Sequence, residues 1–336
     1  MNFDPPILNP LAIFMCLFAA FMWGTWFISL KYLGDYPLEA YYLTLFATSF
    51  IFVWIAGFVL DGSALLQNLR QVWMDDKSRI LITFLCGMLY VFGMMISVRV
   101  IKEIGLSLSQ PLQASINLIV GTFLSALIGG IPAGLTVGRI LVSAVFLGAA
   151  IFLTMRAGIL KSRKTQEQEK NDGRDKKPVN MRRVIVMLII GALFVPAYST
   201  GLSYGLKSVT QAHGMAVMPF MTVLASGAFA GILMTCGTIL TQKRQWHVFK
   251  EHGFEIHKLG VFSGLAHYGG NIIHTFATRN LSAAISWPLG ITAGLWTQLW
   301  GLVYGEFKGA PKKAYFSLFA GILCYLIGAF VIASII

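Results

Sequence analysis

The sequence predicts an all-α membrane protein of ten transmembrane helices, arranged as two inverted five-helix repeats. Three observations lead there. Hydrophobic residues make up 56% of the chain and charged residues only 12%, about half the charged share of a soluble domain. Charge-poor apolar windows recur at the length of about 20 residues that crosses ~30 Å of hydrocarbon, and the ~10-residue alternating segments of a barrel do not appear. Finally, Leu108-Ser109-Gln110-Pro111-Leu112 returns as Ile285-Ser286-Trp287-Pro288-Leu289 at an offset of 177 residues. The same offset sets Gly87 on Gly264, Gly93 on Gly270 and Ile104 on Leu281. A word repeated at half the chain length marks one helical unit used twice.

Apolar spans run at about 11–30, 40–60, 79–98, 105–129 and 136–155, then at about 184–206, 215–240, 259–277, 281–304 and 314–336. The chain therefore divides into a first repeat (1–155), a basic stretch (156–183) and a second repeat (184–336). Met1 to Pro10 holds no lysine or arginine, so the first span lacks the positive start of a signal peptide and is taken as retained. Between Lys161 and Asn180 there is hardly an apolar residue. That composition reads as a flexible tether. An odd number of spans per repeat makes the second enter the membrane from the opposite face, the arrangement of many secondary transporters. Lesser matches agree: Leu30-Lys31 falls on Leu206-Lys207, and Leu147-Gly148-Ala149 on Ile327-Gly328-Ala329.

The net charge of +12 invites a nucleic-acid reading, which fails on distribution. The basic residues sit between apolar spans, and no soluble basic domain exists to hold a duplex. With both termini outside the cytoplasm, most of the 26 lysines and arginines, including those of the central stretch, lie on the cytoplasmic side of a cell (inner) membrane. This is the orientation the positive-inside rule selects. The partners expected are thus the lipid bilayer and a small solute. Cys16, Cys86, Cys236 and Cys324 fall inside apolar spans without C-x-x-C spacing, as reduced packing residues do.

In inverted-repeat carriers the solute binds near the midplane between the halves, so polar side chains at mid-span are the candidates. Gln110, Gln113 and Asn117 share one face of the fourth span at i, i+3, i+7. Their amides need partners in hydrocarbon, from a solute or from neighbouring helices. Pro111 and Pro288 each remove a helical donor, and kinks are expected at both. His267, Asn271 and His274 share a face of the eighth span, and its repeat partner, the third span, has Tyr90, Met94 and Ser97 at the equivalent positions. An intramembrane histidine is a candidate for carrying a proton, or a neutral ring bonded to a carbonyl. His267 lies nearer the midplane than His274. Seven residues separate the two rings by about 10 Å, too far to share a metal ion.

Trp23 and Trp26 in the first span, and Trp287, Trp296 and Trp300 in the ninth, offer faces for a sugar ring while amides take its hydroxyls. Tryptophan also gathers at membrane interfaces, and Trp300 suits that role. Trp287 stands where the first repeat has Gln110. Glu306, ending the ninth span, is a second candidate for the coupling proton, or it pairs with Lys308 or Lys312. Neither H-E-x-x-H nor G-x-S-x-G occurs, so an embedded enzyme, a catalytic residue, a metal site and an organic cofactor are not expected.

These words together resemble the drug/metabolite transporter superfamily, within it the sugar-porter branch of rhamnose–proton symporters and glucose/ribose porters. The residues concerned are Gly121-Thr122, Met155-Arg156-Ala157-Gly158 with the basic tract to Lys164, Ile285-Ser286-Trp287, and Gly301-Leu302-Val303-Tyr304-Gly305-Glu306. Arg156 to Lys164 is most similar to the rhamnose symporters. Trp23-Gly24-Thr25-Trp26 and Ser109-Gln110-Pro111 are more similar to the glucose/ribose porters. Pro288 departs from the rhamnose symporters. The resemblance implies uptake of a monosaccharide with a proton by alternating access. Trp23, Gln110, Asn117, His267, Asn271 and Trp287 would then contact the solute, with His267 and Glu306 as proton carriers. A ureide or nucleoside carrier, or a non-transporting sensor of the same fold, is the alternative.

Overall fold

A computed structural model describes residues 7–104, 106–132, 136–171, 181–194 and 196–333. Among these the chain forms fifteen α-helices and no β-strand, as an all-α membrane protein must when hydrocarbon cannot satisfy backbone groups. Six segments are long and apolar enough to cross a bilayer: Asn9–Tyr32, Leu38–Asp61, Lys77–Ser97, Val137–Lys164, Val217–Gln242 and Lys312–Val331.

The first segment is α1 (Asn9–Thr25), which tightens into a 3-10 turn over Trp26–Tyr32. At the changeover Thr25 Oγ1 donates to the Phe21 carbonyl at 2.7 Å, a local bond that bends helices. Next come α2 (Leu38–Asp61), the short α3 (Ala64–Asp75) and α4 (Lys77–Ile104). Helix α3 was not expected. Its twelve residues are too polar for a hydropathy window, yet they bury Leu65 and leave Leu66, Trp73 and Met74 exposed, as an interfacial helix does. Asp76 caps α4, its Oδ1 accepting the Ser78 amide at 3.0 Å. The bond from the Ser78 hydroxyl, with help from Arg79, holds the Asp76 carboxyl below the usual range.

Helix α5 (Leu106–Gly129) runs on unbroken through Pro111. The proline forfeits only its own bond, to the Ser107 carbonyl one turn earlier, and the helix continues past it. Helix α6 (Val137–Asn171) continues well into the stretch expected to be a tether. Its Glu, Gln, Lys and Arg residues are good helix formers with charges of both signs interleaved, and they prolong the helix. Residues 172–180 lie outside the described set.

Helices α7 (Met181–Phe194) and α8 (Ala197–Gly205) are separated before Pro196, which cannot continue a helix from the preceding turn. Helix α9 (Val217–Ile232) passes through a π turn into α10 (Thr238–Gln242), and α11 (Val248–Glu251) is one turn. Helix α12 (Phe254–Leu281) is long enough to span, but its polar face lowers its hydropathy. Helices α13 (Ala283–Ile291) and α14 (Ala293–Val303) meet at Thr292, four residues beyond Pro288. Helix α15 (Lys312–Ala333) ends the described chain.

Packing joins α1 with α12 and α14, α2 with α9 and α12, α4 with α7, α8 and α9, α5 with α8 and α13, and α6 with α15. Small residues let backbones approach, the usual device in membranes. Gly321 and Gly328 of α15 press on Ala150, Thr154 and Leu147 of α6, and Ser143 Oγ donates to the Gly328 carbonyl at 2.8 Å.

Candidate functional site

The α1, α2, α4, α5, α8, α12, α13 and α14 helices surround a cavity of about 180 Å³. The 3-10 turn after α1 enters it as well, through Trp26 and Phe27 beside Trp23. A relay behind the wall holds that turn. Tyr41 OH donates to Ser263 Oγ at 2.7 Å, and Ser263 Oγ reaches Ser29 Oγ at 2.9 Å and the Trp26 carbonyl at 3.3 Å.

Helix α12 gives His267 and Asn271, helix α5 gives Gln113 and Asn117, and helix α13 gives Trp287. Five of the six expected solute contacts therefore share one cavity: Trp23, Asn117, His267, Asn271 and Trp287. The sixth, Gln110, has a side chain outside the described residues. Tyr42, Tyr198 and Thr297 also line the wall and were missed. They lie on three different helices, α2, α8 and α14, so no spacing along one helix groups them. Tyr90, Met94 and Ser97 of α4 also line the cavity.

The polar atoms on this wall are unusual for a protein interior. Trp23 Nε1, Tyr42 OH, Asn117 Oδ1, Asn271 Nδ2 and both ring nitrogens of His267 are buried without a hydrogen-bond partner among the described residues. Native interiors pair nearly all such groups, since an orphaned one costs about 1–3 kcal/mol. Here donors and acceptors are held open together around one space. His267 is 9% exposed and boxed by rings, its centroid 5.5 Å from both Trp26 and Tyr268 and 6.4 Å from Phe46. Gly270 and Gly290 cradle the Trp23 indole. A methyl on Gly270 would lie 2.8 Å from Trp23 Cδ1, and one on Gly290 would lie 2.7 Å from Cζ3.

Other bonds brace the wall. Tyr90 and Tyr268 share a hydroxyl–hydroxyl bond of 2.6 Å, Gln113 Nε2 donates to the Ser97 carbonyl at 3.3 Å, and Trp287 Nε1 donates to the Asn117 carbonyl at 3.1 Å. Among the described residues the wall carries no Asp, Glu, Lys or Arg. Nor do three of His, Cys, Asp and Glu converge anywhere among them in the manner of a metal site.

Three further candidates are placed elsewhere. His274 does not line the cavity; it is fully buried, with Nε2 donating to the Ser286 carbonyl at 3.0 Å. Glu306 stands apart from the cavity and pairs with Lys31 at 2.5 Å and Lys161 at 3.4 Å. Both ion pairs come from the other half of the chain, which corrects the expected pairing with Lys308 or Lys312. Trp300 Nε1 donates to Thr25 Oγ1 at 3.0 Å, which ties α14 to α1. A scan of the chain against protein-family models finds no match, and a search of curated proteins finds none either.

Proposed function

We propose that the protein is a secondary carrier of a neutral polyhydroxylated solute, a monosaccharide, moved with a proton by alternating access. One observation carries this reading: a cavity whose described wall carries no charge and in which orphaned donors and acceptors stand beside tryptophan and tyrosine faces. A charged solute would meet no counter-ion there, and an apolar one would leave every orphaned group unsatisfied. A sugar supplies hydroxyls to the amides and C–H faces to the rings.

The carrier reading rests further on ten spans in two inverted repeats. Counted by pairing, α1 answers to α7–α8, α2 to α9–α10, α4 to α12, α5 to α13–α14, and α6 to α15. Exchanging the halves turns the α1–α12 contact into α4 with α7 and α8, α2–α12 into α4–α9, and α1–α14 into α5–α8; α2–α9, α5–α13 and α6–α15 map onto themselves. Every one of these contacts is made. Gly87 presses on the Leu224 carbonyl of α9, and its equivalent Gly264 presses on the Leu45 carbonyl of α2. This pattern supports a two-fold relation in which two bundles rock about the cavity.

His267 is the residue to which we assign the coupling proton. It is at the cavity, with neither nitrogen committed, whereas Glu306 is held between two lysines. Vesicles containing the purified protein decide the matter through uptake of labelled monosaccharides with and without an inward proton gradient. Accumulation that collapses with the gradient is expected. Equilibration alone would remove the proton role, and a protein that binds other solutes but no sugar would sink the sugar assignment.

A further inference from the structure

Trp287 crosses from α13 to α5, and the crossing is possible because of what residue 121 lacks. The Trp287 indole donates to the Asn117 carbonyl, which helix geometry already assigns to the amide of residue 121, one turn on. For the ring to reach a carbonyl in mid-helix it must lie flat on that turn. A Cβ on Gly121 would collide with Trp287 Nε1 and stand 2.9 Å from Cε2 and 3.1 Å from Cδ1.

The ring has little freedom to retreat. Trp287 is 5% exposed, with Tyr198 at 5.8 Å and His274 at 6.5 Å, centroid to centroid, on its other sides. Tyr198 lines the cavity and His274 is fixed on the Ser286 carbonyl. The open space against the indole is the cavity itself, so a displaced ring moves into it.

We infer that Gly121 is the size-determining residue of the cavity: it provides a slot in α5 where the Trp287 indole is parked, and the side chain at 121 sets how far that ring intrudes on the bound solute. Trp287 is thus a limiting wall for solute size, and its bond to the Asn117 carbonyl positions the turn that carries the unpartnered Asn117 Oδ1. The relevance to transport rests on the carrier reading above; the slot does not, and the test separates them.

The readout is thiol labelling at Asn117→Cys. Cys324 is the half-exposed native cysteine and is replaced by serine in this background, while Cys16, Cys86 and Cys236 are buried. Gly121→Ala is expected to slow labelling by a bulky maleimide about tenfold, in the range of overpacking by one methyl, and to slow a small methanethiosulfonate much less. Trp287→Phe alone removes the ring edge that occupies the slot, and it should quicken the bulky reagent. Adding Trp287→Phe to Gly121→Ala should restore the rate.

Unchanged labelling in Gly121→Ala, or slowing that persists with phenylalanine at 287, would overturn the slot. If Gly121→Ala does not fold, Trp287→Phe decides alone, and an unaltered bulky-reagent rate overturns the inference. Uptake of a pentose, a hexose and a disaccharide is measured in the unsubstituted protein and in the Gly121→Ala and Gly121→Ala/Trp287→Phe variants, each with Asn117 retained. A shift of the size cut-off toward smaller sugars in Gly121→Ala extends the slot to solute selection. Changed labelling with no sugar moved by any variant leaves the slot standing and counts against the carrier reading.

Discussion

His267 and His274 stand on one face of α12, seven residues apart and both buried, yet their surroundings differ in kind. His274 is bound on both sides: Nε2 donates to the Ser286 carbonyl, and Nδ1 lies 3.3 Å from Thr278 Oγ1, which also reaches Ser286 Oγ at 2.7 Å. Trp23 packs on its ring at 4.8 Å. His267 has rings around it and, among the described residues, no partner for either nitrogen. The contrast separates two uses of the same residue. One histidine closes the framework where α13 begins, and the other is left open toward the cavity. Burial and spacing are alike, so the hydrogen-bond inventory alone tells them apart.

The largest expected effect tests the framework side. His274→Ala removes a ring from a fully buried site and leaves the Ser286 carbonyl without its donor from α12. A loss of about 2–5 kcal/mol follows from cavity formation plus the lost bond. Unfolding of the detergent-solubilised protein measures it. His267→Met, by contrast, replaces an orphaned polar ring with an apolar chain of adaptable shape, so stability should hold or rise slightly. Equal destabilisation by the two changes would erase the distinction drawn between them.

Activity should rank the pair in the opposite sense. His267→Gln keeps a polar group at the wall and should leave binding of a labelled sugar measurable while abolishing the response of uptake to the proton gradient. Asn271→Leu removes an unpaired donor from a residue 2% exposed. Binding should weaken by about tenfold to a hundredfold, with stability unharmed, because the group lost had no protein partner. A fall in melting temperature without a change in binding would place Asn271 in the framework with His274.

That difference also marks how far the sequence could be read. Amphipathic spacing was enough to set His267 with Asn271 on one face of α12 and Gln113 with Asn117 on one face of α5, because such residues share a face whatever the tertiary structure does; that the two faces line one cavity comes from the fold. The repeated Ser-x-Pro-Leu word marked Trp287 as standing where the first repeat has Gln110, whereas its contact with α5 emerges only from the fold. What stayed hidden depended on contacts between distant segments. Tyr42 and Tyr198 carry no periodic signal, α3 is too short and polar for a hydropathy window, and the helical character of α6 beyond Lys161 was masked by its charge. Glu306 was read against its sequence neighbours Lys308 and Lys312, whereas the fold brings it to Lys31 and Lys161.

A smaller effect is expected where the Trp23 cradle joins the two regions. Gly290 lies between the Trp23 indole and His274, its missing Cβ within 3.0 Å of His274 Nε2. Gly290→Ala should cost about 1–3 kcal/mol through overpacking and press Trp23 toward the cavity. Weaker sugar binding should accompany the loss of stability. Stability lost with binding untouched would show that the Trp23 face does not meet the solute.

The smallest expected effect concerns Glu306. Its carboxylate is partly exposed, as are Lys31 and Lys161, so each ion pair is screened and contributes about 0–1 kcal/mol. Glu306→Gln keeps the shape and removes the charge. If Glu306 is a tie between the halves, uptake still responds to the proton gradient in this variant, and only its rate changes, since the glutamine holds the two lysines less firmly during the rocking step. If the gradient response disappears instead, the proton travels by way of Glu306, and the openness of His267 serves the solute alone. The two variants, His267→Gln and Glu306→Gln, therefore divide binding from coupling on opposite sides of the cavity wall.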